Sequence, residues 1–264
     1  MKISVITVAF NAESTIQRTL ESLLSQSYTD YELIVKDGLS TDNTVNICRR
    51  YEAAFGGRMK LISSRDNGPY DAMNRGIDEA TGSIVGILNA DDFLASDDVL
   101  QAIAQRFKER EDIDAVYADV CYVERFDLSK RIRHYSSRLF SPGWMRLGFM
   151  PAHPSFYCRK SVYDRFVLDV PGGGYYNTNY KIAADFDFLL RAIYCGKIRT
   201  SYIRKDFVIM RAGGISNKNL RCHTVINREH LKSLKENGVF SNIIFISLRY
   251  IYKMAELAMG RLRR

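Results

Sequence analysis

The sequence predicts an α/β fold organised on a mostly parallel sheet, and three observations predict it. Strand-sized apolar runs alternate with segments of helical periodicity from Lys2 to Glu109, the pattern of successive βα units with right-handed crossovers. The segments after those runs carry Phe10-Asn11, Asp37 and Asp91-Asp92, so polar chemistry gathers at the carboxyl edge of the sheet, where open α/β sheets bind ligands. A chain of 264 residues makes one large domain, or one domain with a small appendage.

Lys2 to Ala9 reads as a buried strand because its apolar run is almost unbroken. Asn11 or Ser14 can cap the helix that follows. Ser14 with Gln17 matches a capping box, and Ile16, Leu20, Leu23 and Leu24 share one helical face. Glu32 to Lys36 is a second strand, ending in Asp37-Gly38. Ser40 or Asp42 opens a second helix through Val45, Cys48 and Tyr51, and Lys60 to Ser63 is a third strand. Asp66-Asn67-Gly68-Pro69 is dense turn chemistry before a helix from Tyr70 to Ala80, which Gly82 stops. The fourth strand, Ile84-Val85-Gly86-Ile87-Leu88, delivers Asp91 and Asp92. Asp97 to Glu109 is a helix. Ala115 to Val123 and Lys130 to Ser136 are strands, and Ser155 to Arg159 is a short one. Asn179 to Cys195 reads as a helix, Ile198 to Ile203 and Asp206 to Met210 as two short strands, and Arg221 to Glu236 as a helix.

The net charge, 38 − 30 = +8, suits an anionic ligand or an anionic membrane surface, and taken alone equally suits general attraction to nucleic acid. The five cysteines are odd in number, widely spaced and never in a CxxC pair. Neither a disulfide framework nor a zinc ribbon is supported, and a reducing compartment is expected. The first apolar run is interrupted by Ser4 and Thr7 and shows no leader-cleavage pattern; no run is long and apolar enough to span a bilayer.

Two adjacent carboxylates repel each other unless a positive charge lies between them or one is protonated. A divalent hard cation answers that need at Asp91 and Asp92, since such ions prefer oxygen ligands and bridge to phosphates. The plainer alternative is that the pair caps the helix opening near Asp97. The turn Val8-Ala9-Phe10-Asn11-Ala12 has no glycine, which argues against a dinucleotide fingerprint and against a P-loop. A phosphate-bearing ligand would then be held through a metal. In Ala183-Ala184-Asp185-Phe186-Asp187, both acids sit near a helix start, where the dipole favours negative charge. Asp185 facing a cleft could instead take a proton from a hydroxyl nucleophile. Pro171 to Tyr176 is either a mobile lid or a surface loop. Phe240 to Arg264 has helical spacing, a broad apolar surface and a basic excess of 5 − 1 = 4. That suits a helix lying in a membrane interface; the alternative is a helix docked on this protein's own core or in a dimer.

Together these residues resemble the family 2 glycosyltransferases. The matching segments are Ser4 to Glu13, Asp37 to Thr44, Asp66 to Gly76, Gly82 to Asp92, Asp185 to Arg191 and Gly213 to Ser216, so the resemblance covers roughly Ile3 to Ser216. The Tyr70 to Gly76 version is similar to the branch that builds extracellular and capsular polysaccharides, the colanic-acid transferases among them. The resemblance implies a GT-A fold and an inverting sugar transfer from a UDP- or GDP-sugar, with Mg²⁺ or Mn²⁺. By motif position Thr7, Phe10, Asn11, Asp37, Asp71, Asn74, Asn89 and Asp91 would bind the nucleotide sugar. Asp91 and Asp92 would hold the metal, and Asp185 would be the base. Asn89 stands where many relatives begin the acidic motif with Asp, and Ala184 where many have Glu. Trp144, His153, Tyr175 and Tyr176 are candidates for the acceptor side, because sugars stack on aromatic faces; for His153 the favoured alternative is a histidine that satisfies loop hydrogen bonds. The implied organisation is a catalytic domain over 1–220, with a nucleotide half (1–95) and an acceptor half (96–220), followed by a helical segment over 221–264. The implied role is extension of a glycan or lipid-linked acceptor in cell-surface polysaccharide synthesis. The protein would be cytoplasmic, peripheral on the inner face of the membrane, with no nucleic-acid partner. Two alternatives belong to other classes: a non-catalytic nucleotide-sugar-binding subunit, and a sugar nucleotidylyltransferase. The second should show a glycine- and arginine-rich phosphate loop after the first strand, and none is present.

Overall fold

The computed structural model describes residues 1–213 and 220–250. Its strands are β1 (Ile3–Ala9), β2 (Tyr31–Asp37), β3 (Met59–Ser63), β4 (Ile84–Ile87), β5 (Phe93–Leu94), β6 (Ala115–Val123), β7 (Arg131–Tyr135), β8 (Tyr157–Arg159) and β9 (Thr200–Arg211). Its helices are α1 (Ile16–Leu24), α2 (Thr44–Glu52), α3 (Pro69–Asp78), α4 (Val99–Glu109), α5 (Lys160–Arg165), α6 (Ala184–Leu189) and α7 (Leu220–Glu236). The strands form one sheet in the order β3-β2-β1-β4-β8-β6-β9-β5, with β7 paired to β6. β1 pairs in parallel with β2 and β4, and β2 with β3. The antiparallel β8 joins β4 to β6, so β6 and its parallel neighbour β9 run in the same direction as β4. The expected α/β class and mostly parallel sheet are therefore observed.

Strand alternation puts a core on each face. Ile3, Val5 and Ala9 pack with α1, α2 and α4, while Ile6 packs on the opposite face with α3 and α6. Two glycines permit close approach. A Cβ on Gly86 would lie 2.2 Å from the Tyr157 ring, and one on Gly76 2.3 Å from Ile6 Cγ2, so β8 and α3 sit directly on their neighbours. A cavity of about 450 Å³ lined by Lys2, Glu32 and Arg58 opens at the amino edge of the sheet, away from the acidic motif.

Several local expectations differ. The Ser14–Gln17 capping box does not form: Thr15 precedes α1 and its hydroxyl donates to Ala12 O, while Gln17 turns to Glu21. The helix expected from Asn179 starts at Ala184, because the amides of Lys181, Ile182 and Ala183 are taken by the Glu229 carboxylate. The two strands expected between Ile198 and Met210 are one strand, β9, with its register irregularity opposite Asp119. Of the two readings of Pro171–Tyr176, lid or surface loop, the contacts favour the loop: Leu168 bridges Gly174, and the Asn74 side chain holds both backbone groups of Tyr176 at 2.8 Å. Beyond α7 a helix runs from residue 243 to 250. Ile246 is buried in the core and Arg249 reaches back to His230 Nδ1 at 2.7 Å, while Phe240, Ile243, Ile244 and Leu248 face outward. Residues 251–264 and the motif residues Gly214, Ile215 and Ser216 lie outside the described residues.

Candidate active site

The parallel strands bring their carboxyl ends to one edge. There the loop after β1 and the loop after β2 lace together. Gly38 N donates to Ala9 O, Asn11 N to Ser40 Oγ, Thr41 N to Asn11 Oδ1 and Ala12 N to Thr44 Oγ1. Asn11 (φ 49°) and Leu39 (φ 64°) hold left-handed backbone, two of the three non-glycine residues that do so among the described residues. Strained backbone of this kind concentrates at functional loops. Both loops expose an apolar side chain: Phe10 is 64% exposed and Leu39 49%.

Asp37, expected to read the base, is wholly buried at this edge. It accepts from the backbone N–H of Leu39 and Ser40 and from the hydroxyls of Ser40 and Ser63. Its four donors leave little acceptor capacity for a ligand. Beside it Lys36, also wholly buried, donates to Asp37 O at 2.7 Å, to Ser64 O at 2.5 Å and to Asp66 Oδ2 at 3.3 Å. A Cβ on Gly38 would meet that same Asp66 oxygen at 2.7 Å. Lys36 and Gly38 thus fix the path from β3 to α3. A lysine in an otherwise apolar strand was the available signal.

The acidic motif forms a tight turn after β4, with Asp92 N donating to Asn89 O at 3.1 Å and Thr19 Oγ1 donating to Asp92 O at 2.6 Å. Asn89 and Asp91 are partly exposed. Asp92 is 2% exposed, and its Oδ2 has no hydrogen-bond partner. Burial, then the neighbouring charge of Asp91, pushes its carboxyl well above the usual range. An orphaned buried carboxylate oxygen beside a second carboxylate fits a bound cation. Arg211, at the end of β9, closes the other side: its Nε donates to Asp91 O at 3.1 Å and its guanidinium lies over Phe93, as does that of Arg18. The motif reading did not include Arg211, since only the β9–β5 pairing brings it here.

Asp185 opens α6 and is half-buried. Its Oδ1 accepts the Phe186 N–H at 2.8 Å. Burial is the main reason its carboxyl is pushed up to about 6. Tyr70, at the start of α3, donates its hydroxyl to Ile182 O and faces Asp185. Because α3 follows the carboxyl end of β3, this contact ties the segment before Asp185 to that end of the sheet.

Other expected site residues do structural work here. Asp71 accepts from Asn67 N at 2.8 Å, in the turn before α3, and pairs with Arg75. The Asn74 amide holds the Tyr176 backbone through one donor and one acceptor. Thr7 is wholly buried, with an unpartnered hydroxyl, on the α1 side of β1. His153, expected on the acceptor side, is buried and bonded to the Tyr176 hydroxyl at 2.8 Å; burial pushes its pKa down to about 4. Tyr176 is wholly buried. Tyr175 reaches Asp78 at the far end of α3. Tyr176 also stacks on Tyr70, with ring centroids 6.0 Å apart. Trp144, 36% exposed, packs against Phe149 on the 3-10 turn Pro142–Leu147.

Residues 4–168 match the model of the family described as glycosyl transferase family 2. The chain belongs to this family. It is a family 2 glycosyltransferase, 30% identical over 239 residues to the "PGL/p-HBAD biosynthesis glycosyltransferase" of Mycobacterium tuberculosis (H37Ra), covering 88% of this chain and 83% of that protein. It is 28% identical over 228 residues to the "Uncharacterized glycosyltransferase YibD" of Escherichia coli, covering 83% of this chain and 66% of that one. Its GT-A fold is shared with S. aureus TarS 1-349 in complex with UDP-GlcNAc, at a TM-score of 0.67 and 22% identity, over 89% of this chain and 66% of that chain. The mannosyltransferase PcManGT of Pyrobaculum calidifontis, in complex with GDP-Man and Mn2+, superposes at 0.60 with 16% identity, over 89% of this chain and 72% of that one. This chain therefore spans just under two thirds of that 1-349 chain and 40% of the longer S. aureus TarS chain. Among the described residues of this glycosyltransferase, Asp119, His134 and Asp206 also lie close enough to share a cation. They sit five residues back along β9 from Arg211, on the order of 15 Å from it at strand spacing. Asp119 is already satisfied by Ser137 N and the Tyr202 hydroxyl.

Proposed function

We propose that this glycosyltransferase moves a sugar from a nucleoside diphosphate sugar to a hydroxyl of a glycan or lipid-linked acceptor, with inversion at the anomeric carbon. The observation that carries the proposal is Asp185: a half-buried carboxyl at the start of α6, pushed up to about 6 by burial and tied through Tyr70 to the start of α3. A base poised near the working pH removes a hydroxyl proton efficiently. Asp185 takes the acceptor proton as the acceptor oxygen bonds to the anomeric carbon, and the sugar–phosphate bond breaks to release the nucleoside diphosphate. Such transition states are oxocarbenium-like, so negative charge develops on the leaving phosphate. Mg²⁺ or Mn²⁺ on Asp91 and Asp92 would supply Lewis-acid stabilisation of that charge. Arg211 adds a fixed positive charge beside the pair. Phe10 presents an open aromatic face for the base. The fold's solved neighbours include one with UDP-GlcNAc and one with GDP-Man, so UDP- and GDP-sugars are the donors to test.

A peripheral membrane position, on the inner face and in service of cell-surface polysaccharide synthesis, is supported by the outward residues Ile243, Ile244 and Leu248 of the last described helix, with Phe240 exposed just before it. No helix among the described residues is long and apolar enough to cross a membrane. The catalytic proposal is tested with Asp185→Asn. Donor binding should persist, while transfer falls by roughly 10²–10⁴-fold, the usual worth of general base catalysis. Wild-type turnover in that variant removes Asp185 from the mechanism.

A further inference from the structure

We propose that Glu229, on α7, is a positioning residue for Asp185: it holds the start of α6 and keeps a negative charge behind the base. This inference rests on the reading of Asp185 as the base.

The geometry is specific. One Glu229 oxygen accepts the Lys181 N–H at 2.8 Å, and the other accepts Ile182 N–H and Ala183 N–H, each at 3.0 Å. Those are the three backbone amides immediately before α6, and Asp185 follows two residues later. Glu229 is 9% exposed, and no ion pair among the described residues includes it. A carboxylate buried without a cation is costly unless hydrogen bonds compensate, and here three amides from one short segment do so. Tyr70 grips the same segment from the α3 side through Ile182 O. The residue after Glu229 braces the other flank of Asp185. His230 is stacked on Phe186 with ring centroids 3.8 Å apart, and Arg249 holds the His230 ring in place. One turn further on, Ser233 Oγ donates to Asp187 Oδ1 at 2.7 Å. Glu229, His230 and Ser233 thus contact the residues before, after and beyond Asp185, so α7 is the scaffold of the base.

The titratable groups facing Asp185 are Tyr70 from α3, Tyr176 from the preceding loop and Glu229 from α7. Glu229 is the acid among them, and like charge disfavours ionisation of its neighbour. Removing it should lower the pH at which Asp185 becomes a base. Removing one of its two oxygens should also loosen the segment that aims Asp185, and a small misplacement of a catalytic group costs up to about a hundredfold.

The experiment compares wild type, Glu229→Gln, Glu229→Asp and Asp185→Asn. It follows release of nucleoside diphosphate from UDP- and GDP-sugars, with simple alkyl glycosides as acceptors, from about pH 5 to 9. For Glu229→Gln the expected result is a kcat roughly ten- to a hundredfold down, an unchanged donor KM and an acidic limb moved to lower pH. A purely structural role would lower thermal stability and leave that limb in place. Wild-type kcat together with an unmoved limb overturns the proposal. Should Glu229→Gln fail to fold, Glu229→Asp decides: it keeps the charge and shortens the reach. Lower kcat with an unmoved limb, an unchanged donor KM and wild-type thermal stability supports the proposal; wild-type kcat, or a kcat loss matched by lost thermal stability, overturns it. If Asp185→Asn is inactive while Glu229→Gln behaves as wild type, only the role of Glu229 falls. If Asp185→Asn turns over normally, the assignment of the base falls first.

Discussion

Asp185→Asn should make the protein more stable while removing its activity, and the structure sets the size of the effect. An ordinary aspartate ionises near 3.8, and Asp185 is pushed up to about 6 by burial. The folded state therefore binds this proton more tightly than the unfolded state. Below pH 3.8 both states are protonated and there is no penalty. Between 3.8 and 6 the unfolded chain ionises first, and stability falls as pH rises; above 6 the full penalty is present. Each pKa unit is worth about 1.4 kcal/mol, so the shift corresponds to at most about 3 kcal/mol. Because Asp185 is only half-buried, about 1–3 kcal/mol is the working range. Asparagine keeps an oxygen for the Phe186 N–H and carries no charge to bury. At neutral pH, Tm should rise by roughly 2–10 °C, as for a chain of this size. The gain should shrink to nothing as the pH approaches 4. Differential scanning calorimetry across that range measures it directly. A variant that is less stable at neutral pH, or whose gain does not change with pH, refutes the claim that Asp185 is a strained base.

Three further outcomes are expected. Asp92→Ala should abolish the thermal stabilisation that Mn²⁺ with UDP or GDP confers by mass action, with the apoprotein still folded; full stabilisation in the variant would sink the metal assignment. His153 is buried neutral, with its pKa down from 6.5 to about 4, so the fold should lose up to about 3 kcal/mol as pH drops through that window. His153→Gln, which can still bond Tyr176, should flatten that acid limb in pH-dependent denaturation; an equally steep limb would contradict the buried-neutral assignment. Replacing Phe240, Ile243 and Ile244 together by serine should release the protein from vesicles rich in anionic lipid, and equal sedimentation with the vesicles would return this stripe to ordinary surface.

The parallel half of the fold was legible because each of its strands is an apolar run ended by polar turn chemistry, and local pattern is enough to place such units. Ile3–Ala9, Tyr31–Asp37 and Met59–Ser63 appear close to where the pattern puts them. The second half is governed by distant partners. The start of α6 was misplaced because Glu229, on a helix far along the chain, claims the amides that a local reading gives to helix hydrogen bonds. β9 was split at Arg204-Lys205 because charged residues read as a turn, whereas pairing to β6 carries the strand through with an irregular register. His153 and Tyr176 look like ligand-facing aromatics in sequence, yet each is the other's hydrogen-bond partner inside the core.

Hydrogen-bond satisfaction separates residues that a motif places together. Asp37, Asp71 and Asn74 stand in the matched segments, and each is already spent on its own loop, helix or neighbouring backbone. Removing any of them would first damage the architecture of the edge, so loss of activity in such variants would carry little information about the nucleotide. Asp92, like Thr7, differs: among the described residues one of its oxygens is buried with no partner, which a folded protein tolerates only where strain, an ion or a ligand accounts for it. Asp185 differs in a second way, since burial pushes its carboxyl up to about 6 and no ion pair among the described residues includes it. A cation on Asp92, and a proton taken by Asp185 from an incoming hydroxyl, would relieve the two.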